Sequence, residues 1–232
     1  VYVNGQEAGY WPYGYNSFHL DVTPYIKVGE INELAVRLEN ENESSRWYPG
    51  AGLYRNVHLV VTEDAYVPTW GTKVTTPVVK DQFAKVHVET TWNMPKGKKI
   101  SEYTIATEIL NPEGKKVNAD TRPGDELDET LFTQEFIVRN PMLWSVENPH
   151  LYTAVSKIYE GDRLVDEYTT RFGIRTLEII PEKGFFLNGK LTKFQGVCNH
   201  RDLGPLGAAV NDAAIRRQIR IMKDMGVNAI RT

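Results

Sequence analysis

The stretch Gly196-Val-Cys-Asn-His-Arg-Asp202, a helix-like run after it, and then Val227-Asn-Ala-Ile-Arg231 decide the fold. Lys193 to Val197 reads as a short buried strand, and a polar cluster follows at its C-terminal end, where parallel α/β architectures place their chemistry. Asn211 is positioned to cap a helix whose apolar residues Ile215, Ile219 and Met222 recur at helical spacing. Met225 lies one turn further on, and Gly226 is the natural stop. Val227 to Ile230 then opens a second buried strand. Strand, helix, strand is one βαβ unit, which cannot bury both faces of a parallel sheet by itself. The expectation is the opening of a (β/α) barrel whose other strands lie outside these residues. The start at Val1-Tyr-Val-Asn-Gly-Gln6, with no Met, charged leader or apolar signal segment, reads the same way, as a piece of a longer enzyme.

Working outward, 232 residues allow one to two domains, and 41% hydrophobic with 11% aromatic residues suffices for real cores. The balance of 27 basic against 30 acidic residues, net charge -3, offers no footprint for DNA or RNA, so no nucleic-acid partner is expected. No apolar run approaches the roughly 18 residues that cross a bilayer, so no membrane insertion is expected of this stretch. Compartment stays open between cytoplasm and export, which would turn on a leader outside these residues. The lone Cys198 excludes an intramolecular disulfide and a cysteine-only metal cluster. The five histidines are scattered, none at a spacing that pairs metal ligands, so no cofactor is expected within this stretch.

Residues 1–65 read as short strands between turns. Asn4-Gly5 is a hairpin signal, Phe18 to Asp21 an extended piece, Leu34 to Leu38 an alternating strand, and Tyr54 to Val61 a closing strand. Glu39 to Ser45 is a polar loop leading into Arg46-Trp-Tyr-Pro-Gly-Ala-Gly52, large aromatics on a surface loop. Residues 66–176 carry a second set of strands. Val86, Val88, Thr90 and Trp92 alternate with Lys85, His87, Glu89 and Thr91, and Tyr103, Ile105, Thr107 and Ile109 repeat that spacing. Asn111-Pro-Glu-Gly114 is a turn, Phe132, Phe136 and Val138 share a strand face, and Leu151–Tyr159 pairs with Leu164–Phe172 across Glu160-Gly-Asp162. Six or so short strands at this spacing argue for an immunoglobulin-like sandwich. Between 177 and 195, Phe185-Phe-Leu-Asn-Gly-Lys190 supplies one more hairpin.

Six stretches, in order, resemble glycoside hydrolase family 2, the group of β-galactosidases, β-glucuronidases and β-mannosidases. They are Phe18-His-Leu-Asp-Val-Thr23, Trp47-Tyr-Pro-Gly-Ala-Gly-Leu-Tyr-Arg55, Pro141-Met-Leu-Trp-Ser-Val-Glu-Asn-Pro149, Phe172-Gly-Ile-Arg175, Phe185-Phe-Leu-Asn-Gly189, and Gly196 through Arg231. The resemblance implies a mainly β chain: the C-terminal part of a sugar-binding jelly-roll domain over 1–65, an immunoglobulin-like β-sandwich over 66–176, and the first βαβ unit of a (β/α)8 catalytic barrel over 177–232. The forms Pro49-Gly-Ala-Gly-Leu-Tyr-Arg55 and Asp202-Leu-Gly-Pro-Leu-Gly-Ala-Ala209 look most like β-galactosidases. The implied partners are a β-galactoside and the remainder of the chain's own barrel, with homo-oligomerisation left open. Mg²⁺ or Na⁺ belongs, on this resemblance, to the full-length enzyme.

The family hydrolyses glycosides with retention through two glutamates roughly 5–5.5 Å apart. Both belong to later barrel strands, and Glu147, Glu178 and Asp202 match neither. No catalytic residue is therefore expected in this stretch. His200 matches a histidine that contacts the sugar, the alternative being a surface histidine near a hinge. Arg231 matches an arginine that keeps a neighbouring nucleophile ionised, the alternative being a structural ion pair. Asp202 binds a sugar hydroxyl or holds Arg201 or His200. Where many relatives have Gly-Val-Asn-Arg-His, this chain has Gly196-Val-Cys-Asn-His200, so Cys198 and Asn199 replace an amide and a guanidinium; Asn199 stays a candidate sugar contact and Cys198 reads as a small buried thiol. Some relatives place an acidic residue before the loop tryptophan, where Ser45 and Arg46 stand here. Trp47 and Tyr48 are rim residues or part of a turn wedging the first domain against the barrel, with Arg55 tied to a carboxylate across that seam. Trp144 reads as a sandwich-edge or interdomain residue.

Two other classes compete with the glycosidase reading: a self-sufficient carbohydrate-binding sandwich and a purely structural linker domain. A parallel strand pair at the C-terminus would discriminate against both.

Overall fold

The structure, a computed structural model, describes residues 1–40, 52–128, 130–199 and 203–231. The chain divides into two compact units, one of Val1–Val57 with Asp202–Ile215, the other of His58–Arg201 with Arg216–Thr232.

In the first unit, β1 (Tyr2–Val3), β2 (Gln6–Glu7) and β3 (Leu34–Ala35) form an antiparallel sheet in the order β2-β1-β3. Asn4 and Gly5 both take positive φ, 50° and 78°, as the expected two-residue hairpin requires. The Asn4 side chain does more than tolerate the turn. Its Nδ2 donates to Tyr25 O and Asn32 Oδ1, both at 2.8 Å, and its Oδ1 accepts from Glu33 N–H at 3.0 Å. Two expectations need correction here. Of Leu34–Leu38 only Leu34–Ala35 is strand, while Tyr54–Val61 forms none, and Leu59 and Val61 are 74% and 82% exposed. An alternating sequence becomes a strand only beside a neighbour that completes its hydrogen-bond ladder, and no described strand lies alongside these residues.

The second unit holds a seven-stranded sandwich. Its strands are β4 (Thr72–Val79), β5 (Phe83–Thr91), β6 (Tyr103–Leu110), β7 (Lys116–Pro123), β8 (Leu131–Arg139), β9 (Tyr152–Glu160) and β10 (Arg163–Phe172). One sheet runs β4-β5-β8 and the other β10-β9-β6-β7, all neighbours antiparallel. The expected alternations form: Val86, Val88 and Thr90 are buried while Lys85, His87 and Glu89 face outward, and Tyr103, Ile105, Thr107 and Ile109 are buried on β6. Asn111 closes the β6–β7 turn by accepting from Glu113 and Lys115 N–H at 3.1 and 2.8 Å.

The core has two apolar clusters with a polar layer between them. Ala84, Val86, Val88, Ile109, Phe136, Val138, Tyr152 and Ala154 belong to one; Trp92, Tyr103, Ile105, Phe132 and Ile158 belong to the other. On each of β5, β6, β8 and β9 the inward position between the two clusters is polar, namely Thr90, Thr107, Gln134 and Ser156, all buried. Thr107 and Ser156 share a hydrogen bond of 3.3 Å, and Gln134 Nε2 donates to Asp120 O and Oδ2 at 3.2 Å. The entering segment straps the outer edge of β10. Arg163 pairs with Glu63, Asp166 accepts from Val67 N–H at 2.7 Å, and Tyr168 O–H accepts from Trp70 N–H at 2.8 Å. That strap buries Ala65 and Val67 and covers a ladder that would otherwise invite another strand.

A three-stranded antiparallel sheet follows, β11 (Leu177–Ile180), β12 (Gly184–Leu187) and β13 (Lys190–Leu191). Asn188 and Gly189, at φ 51° and 74°, make the expected hairpin turn. The chain ends in β14 (Gly196–Cys198), α1 (Asp212–Asp224) and β15 (Ala229–Arg231). β14 and β15 pair in parallel, Gly196 opposite Ala229 and Cys198 opposite Arg231. Asn211 caps α1, its Oδ1 accepting from Ala214 N–H at 3.0 Å, and Gly226 ends the turn after it at φ 87°. Both strands start later than the expected Lys193 and Val227. The Asn228 side chain takes the backbone there instead, accepting from Gln195 N–H at 2.7 Å and donating to Lys193 O at 2.9 Å. No helix is long and apolar enough to cross a membrane among the described residues.

Candidate functional site

The C-terminal ends of β14 and β15 bring two of the candidate residues together. Asn199 N–H donates to Arg231 O at 2.9 Å, extending the parallel ladder one bond past β14. The Asn199 side chain turns to the helix, with Nδ2 3.5 Å from Gln218 Oε1 on α1. Because strand side chains alternate, Cys198 and its partner Arg231 share the opposite face. Arg231 is thus held at a strand end on the face away from α1, and Asn199 is committed to the helix side. The exposed Arg231 has no carboxylate within ion-pair reach among the described residues, which leaves its guanidinium available for a neighbour.

Cys198 corrects the expectation of a buried thiol, since it is exposed. A two-stranded sheet with one helix covers one face only, and Cys198 points from the other. His200, Asp202, Trp47 and Tyr48, with Ser45 and Arg46, lie outside the described residues. Arg55 is exposed; its guanidinium sits 5.3 Å from the Tyr54 ring centre, and Nη1 is 3.5 Å from Ser17 Oγ. Among the described residues no carboxylate partners Arg55. The Leu203–Gly207 turn, closed by Leu203 N–H donating to Gly207 O at 2.8 Å, leads to Val210, whose N–H donates to Tyr54 O at 2.9 Å. Two stretches that carry the resemblance, around Tyr54 and around Leu203–Ala209, are therefore joined by backbone.

A second convergence was not legible in the sequence. Trp144 N–H donates to Ile174 O at 2.8 Å, Arg175 lies 4.9 Å from the Trp144 ring centre, and Asn188 Nδ2 donates to Trp144 O at 2.9 Å. Asn188 also accepts from Thr176 N–H at 3.0 Å. A Cβ on Gly173 would meet Trp144 side-chain carbons at 3.0–3.1 Å, so this position has little room for any larger residue. The stretches Pro141–Pro149, Phe172–Arg175 and Phe185–Gly189 thus form one joint between the sandwich and the hairpin leading into β14. The signal that could have found it is the recurrence of Asn in an Asn-Gly turn, a residue that tolerates positive φ and still carries an amide.

Among the described residues, the carboxyls whose pKa departs from the ordinary value all move down. Hydrogen bonds from Lys116 and Lys157 lower Glu108, those from Lys98 and Arg163 hold Glu160 at about 2, and its own backbone N–H with the Ser145 hydroxyl lowers Glu147. Asp21 and Asp128 are lowered by Thr23 and Thr130. A glycosidic general acid needs the opposite shift. No group of three or more His, Cys, Asp or Glu among the described residues could hold a metal ion. The cleft bounded by Asn111, His150, Thr153 and Arg171 lies on the sandwich and has no residue of β14 or β15 in its wall.

Comparison with known proteins accounts for this arrangement. Residues 66–175 match the family model of glycosyl hydrolases family 2, and residues 179–232 match the TIM barrel domain of the same family. A β-galactosidase of Bacteroides ovatus is 46% identical over 235 residues, covering 100% of this chain and 27% of the relative. A putative β-glucuronidase of Formosa agariphila is 37% identical, covering 100% of this chain and 22% of its own. Among solved structures, a glycosyl hydrolase family 2 member from Bacteroides cellulosilyticus superposes with a TM-score of 0.90 at 37% identity over 99% of this chain and 30% of that one. A β-glucuronidase of Bacteroides uniformis superposes at 0.85 with 27% identity, over 100% of this chain and 29% of that one. The chain spans between a fifth and a third of the length of these relatives. With two matched segments in family order and a parallel β14–β15 pair where the barrel should open, the chain belongs to glycosyl hydrolases family 2.

Proposed function

We propose that this chain is part of a retaining exo-glycosidase that hydrolyses terminal β-galactosides, and that it supplies a substrate-supporting edge of the active site without the catalytic glutamates. The observation that carries the reading is the parallel β14–β15 pair, whose C-terminal ends bear Asn199 and Arg231. Chemistry in a barrel gathers at that end. In this reading Arg231 lies beside the nucleophilic carboxylate contributed by a later strand, and its positive charge keeps that carboxylate ionised. His200 and Asp202, immediately after β14, bind sugar hydroxyls. The downward-shifted carboxyls support leaving the general acid to other strands, because that acid must stay protonated near neutral pH.

Galactose is favoured by the relative at 46% identity, which is named a β-galactosidase. The second reading, a β-glucuronide, is favoured by the relative at 37% identity and by the Bacteroides uniformis structure, each named a β-glucuronidase or putatively so. The two sugars differ in the configuration of the C4 hydroxyl and in the carboxylate that glucuronate carries at C6, and that carboxylate calls for a cation or fixed donors at its position. The ratio of kcat/KM for nitrophenyl β-galactoside and nitrophenyl β-glucuronide, measured on the full-length protein, decides between them. The isolated 232-residue chain is expected to release no nitrophenol from either and to bind galactosides weakly or not at all. Release by the chain alone at the full-length rate would overturn the reading, as would a full-length protein inert on both substrates. Arg231→Ala in the full-length protein is expected to lower kcat about 10²-fold, with Arg231→Lys recovering part of it.

A further inference from the structure

At the other end of the parallel sheet three large apolar side chains lie in line, two of them exposed. Ile179 on β11 stands directly opposite Phe185 on β12, and the Phe185 ring packs on Phe194 with centroids 4.8 Å apart. The three form a row whose ends are open: Ile179 is 81% exposed and Phe194 64%. Phe194 is nevertheless held firmly. Asn228 Oδ1 accepts from Gln195 N–H at 2.7 Å and its Nδ2 donates to Lys193 O at 2.9 Å, so one side chain grips the backbone on both sides of Phe194. Thr192 N–H donates to Phe185 O at 2.8 Å, and Asn188 ties the hairpin to Trp144. An exposed aromatic on a pre-ordered backbone has the character of an interface anchor, because little conformational freedom is left to lose on contact.

Its place in the fold names the partner. Phe194 lies two residues before Gly196, the first residue of β14, and Asn228 immediately precedes β15, so the row sits at the N-terminal end of both parallel strands. That is the end of a (β/α) barrel that contributes stability, the chemistry being at the other end. The match to the TIM barrel domain begins at Ile179, which makes this hairpin continuous with the barrel segment. We propose that the Ile179–Phe185–Phe194 row is a plug closing the N-terminal mouth of the barrel, its occupant being the inward apolar side chains at the starts of the remaining parallel strands of the same polypeptide. The proposal rests on the reading that β14 and β15 belong to such a barrel.

The test uses the full-length protein with Ile179→Cys, Phe194→Ser and Phe194→Leu introduced singly. Thiol labelling of I179C, located by peptide mapping so that Cys198 is scored separately, is expected to be at least about tenfold slower in the native protein than after unfolding. Phe194→Ser lowers the urea midpoint while KM for the aryl glycoside stays put, and Phe194→Leu restores the midpoint. Labelling of native I179C at the unfolded rate overturns the plug. So does protection that disappears on dilution together with a halved molar mass, which would make the row a contact between two copies. If the unsubstituted protein turns over no glycoside while I179C remains protected, the hydrolase reading fails and the plug stands; turnover with an open I179C thiol gives the reverse.

Discussion

The sandwich and the βαβ unit are cut from the same polypeptide and finish differently. Between Thr72 and Phe172 the chain supplies both sheets of a sandwich, and side chains from β5, β6, β8 and β9 are fully buried between them. From Gly196 to Arg231 the elements are equally regular, yet none of the described side chains of β14, α1 or β15 is buried. Antiparallel strands linked by short turns find their partners within about a hundred residues, whereas a parallel sheet needs further strands and helices before either face is covered. Regular local structure and a core are thus separate achievements, and the second depends on how far away the partners lie in the chain.

The largest effect expected from this contrast is in the sandwich core. Phe136→Ala, at a site 1% exposed, should cost about 3–5 kcal/mol in urea unfolding of the chain. Ile230→Ala on β15, 39% exposed, should cost under about 1 kcal/mol. Equal losses at the two positions would break the contrast. Next is Gly173→Ala, which forces a methyl against Trp144 and should cost about 1–3 kcal/mol, with a blue or red shift of tryptophan emission reporting the displaced indole. Adding Trp144→Ala should recover most of that loss, and a strictly additive pair would argue against the contact.

Asn188→Gly is a finer probe. Glycine adopts φ 51° at least as readily as asparagine, so a turn-only role predicts no loss. The amide contacts to Trp144 and Thr176 instead predict a cost of about 1 kcal/mol or somewhat more. Smallest is the acid dependence of the Glu160 cluster. Lys98 and Arg163 hold the folded Glu160 at about 2, below the unfolded carboxyl value of about 4.3, so its contribution is complete above the latter and fades as pH falls through about 2. Glu160→Gln should flatten the urea midpoint across that window. The group is solvent-facing, so salt should flatten it too, and a slope indifferent to both changes would remove Glu160 as its source.

Much of the architecture was legible in spacing alone. The period-two pattern of Val86, Val88 and Thr90, the helical spacing of Ile215, Ile219 and Met222, and the Asn-Gly turns each name an element, because side-chain direction follows directly from backbone geometry. The same logic failed at Tyr54–Val61, where apolar alternation is present and no strand forms beside it. Of the candidate site, Arg231 could be placed at a strand end from sequence, but not the turning of Asn199 toward Gln218.

The order of elements, the apolar face of each and the membership of a parallel unit are therefore written in neighbouring residues. Tertiary structure alone decided that Thr90, Thr107, Gln134 and Ser156 fall in one layer, that Asn188 and Asn4 use their amides to tie distant segments, and that Cys198 faces outward. Those outcomes depend on which strand lies opposite which. Pairing across tens of residues is set by the collective burial of both partners, and no local pattern encodes it.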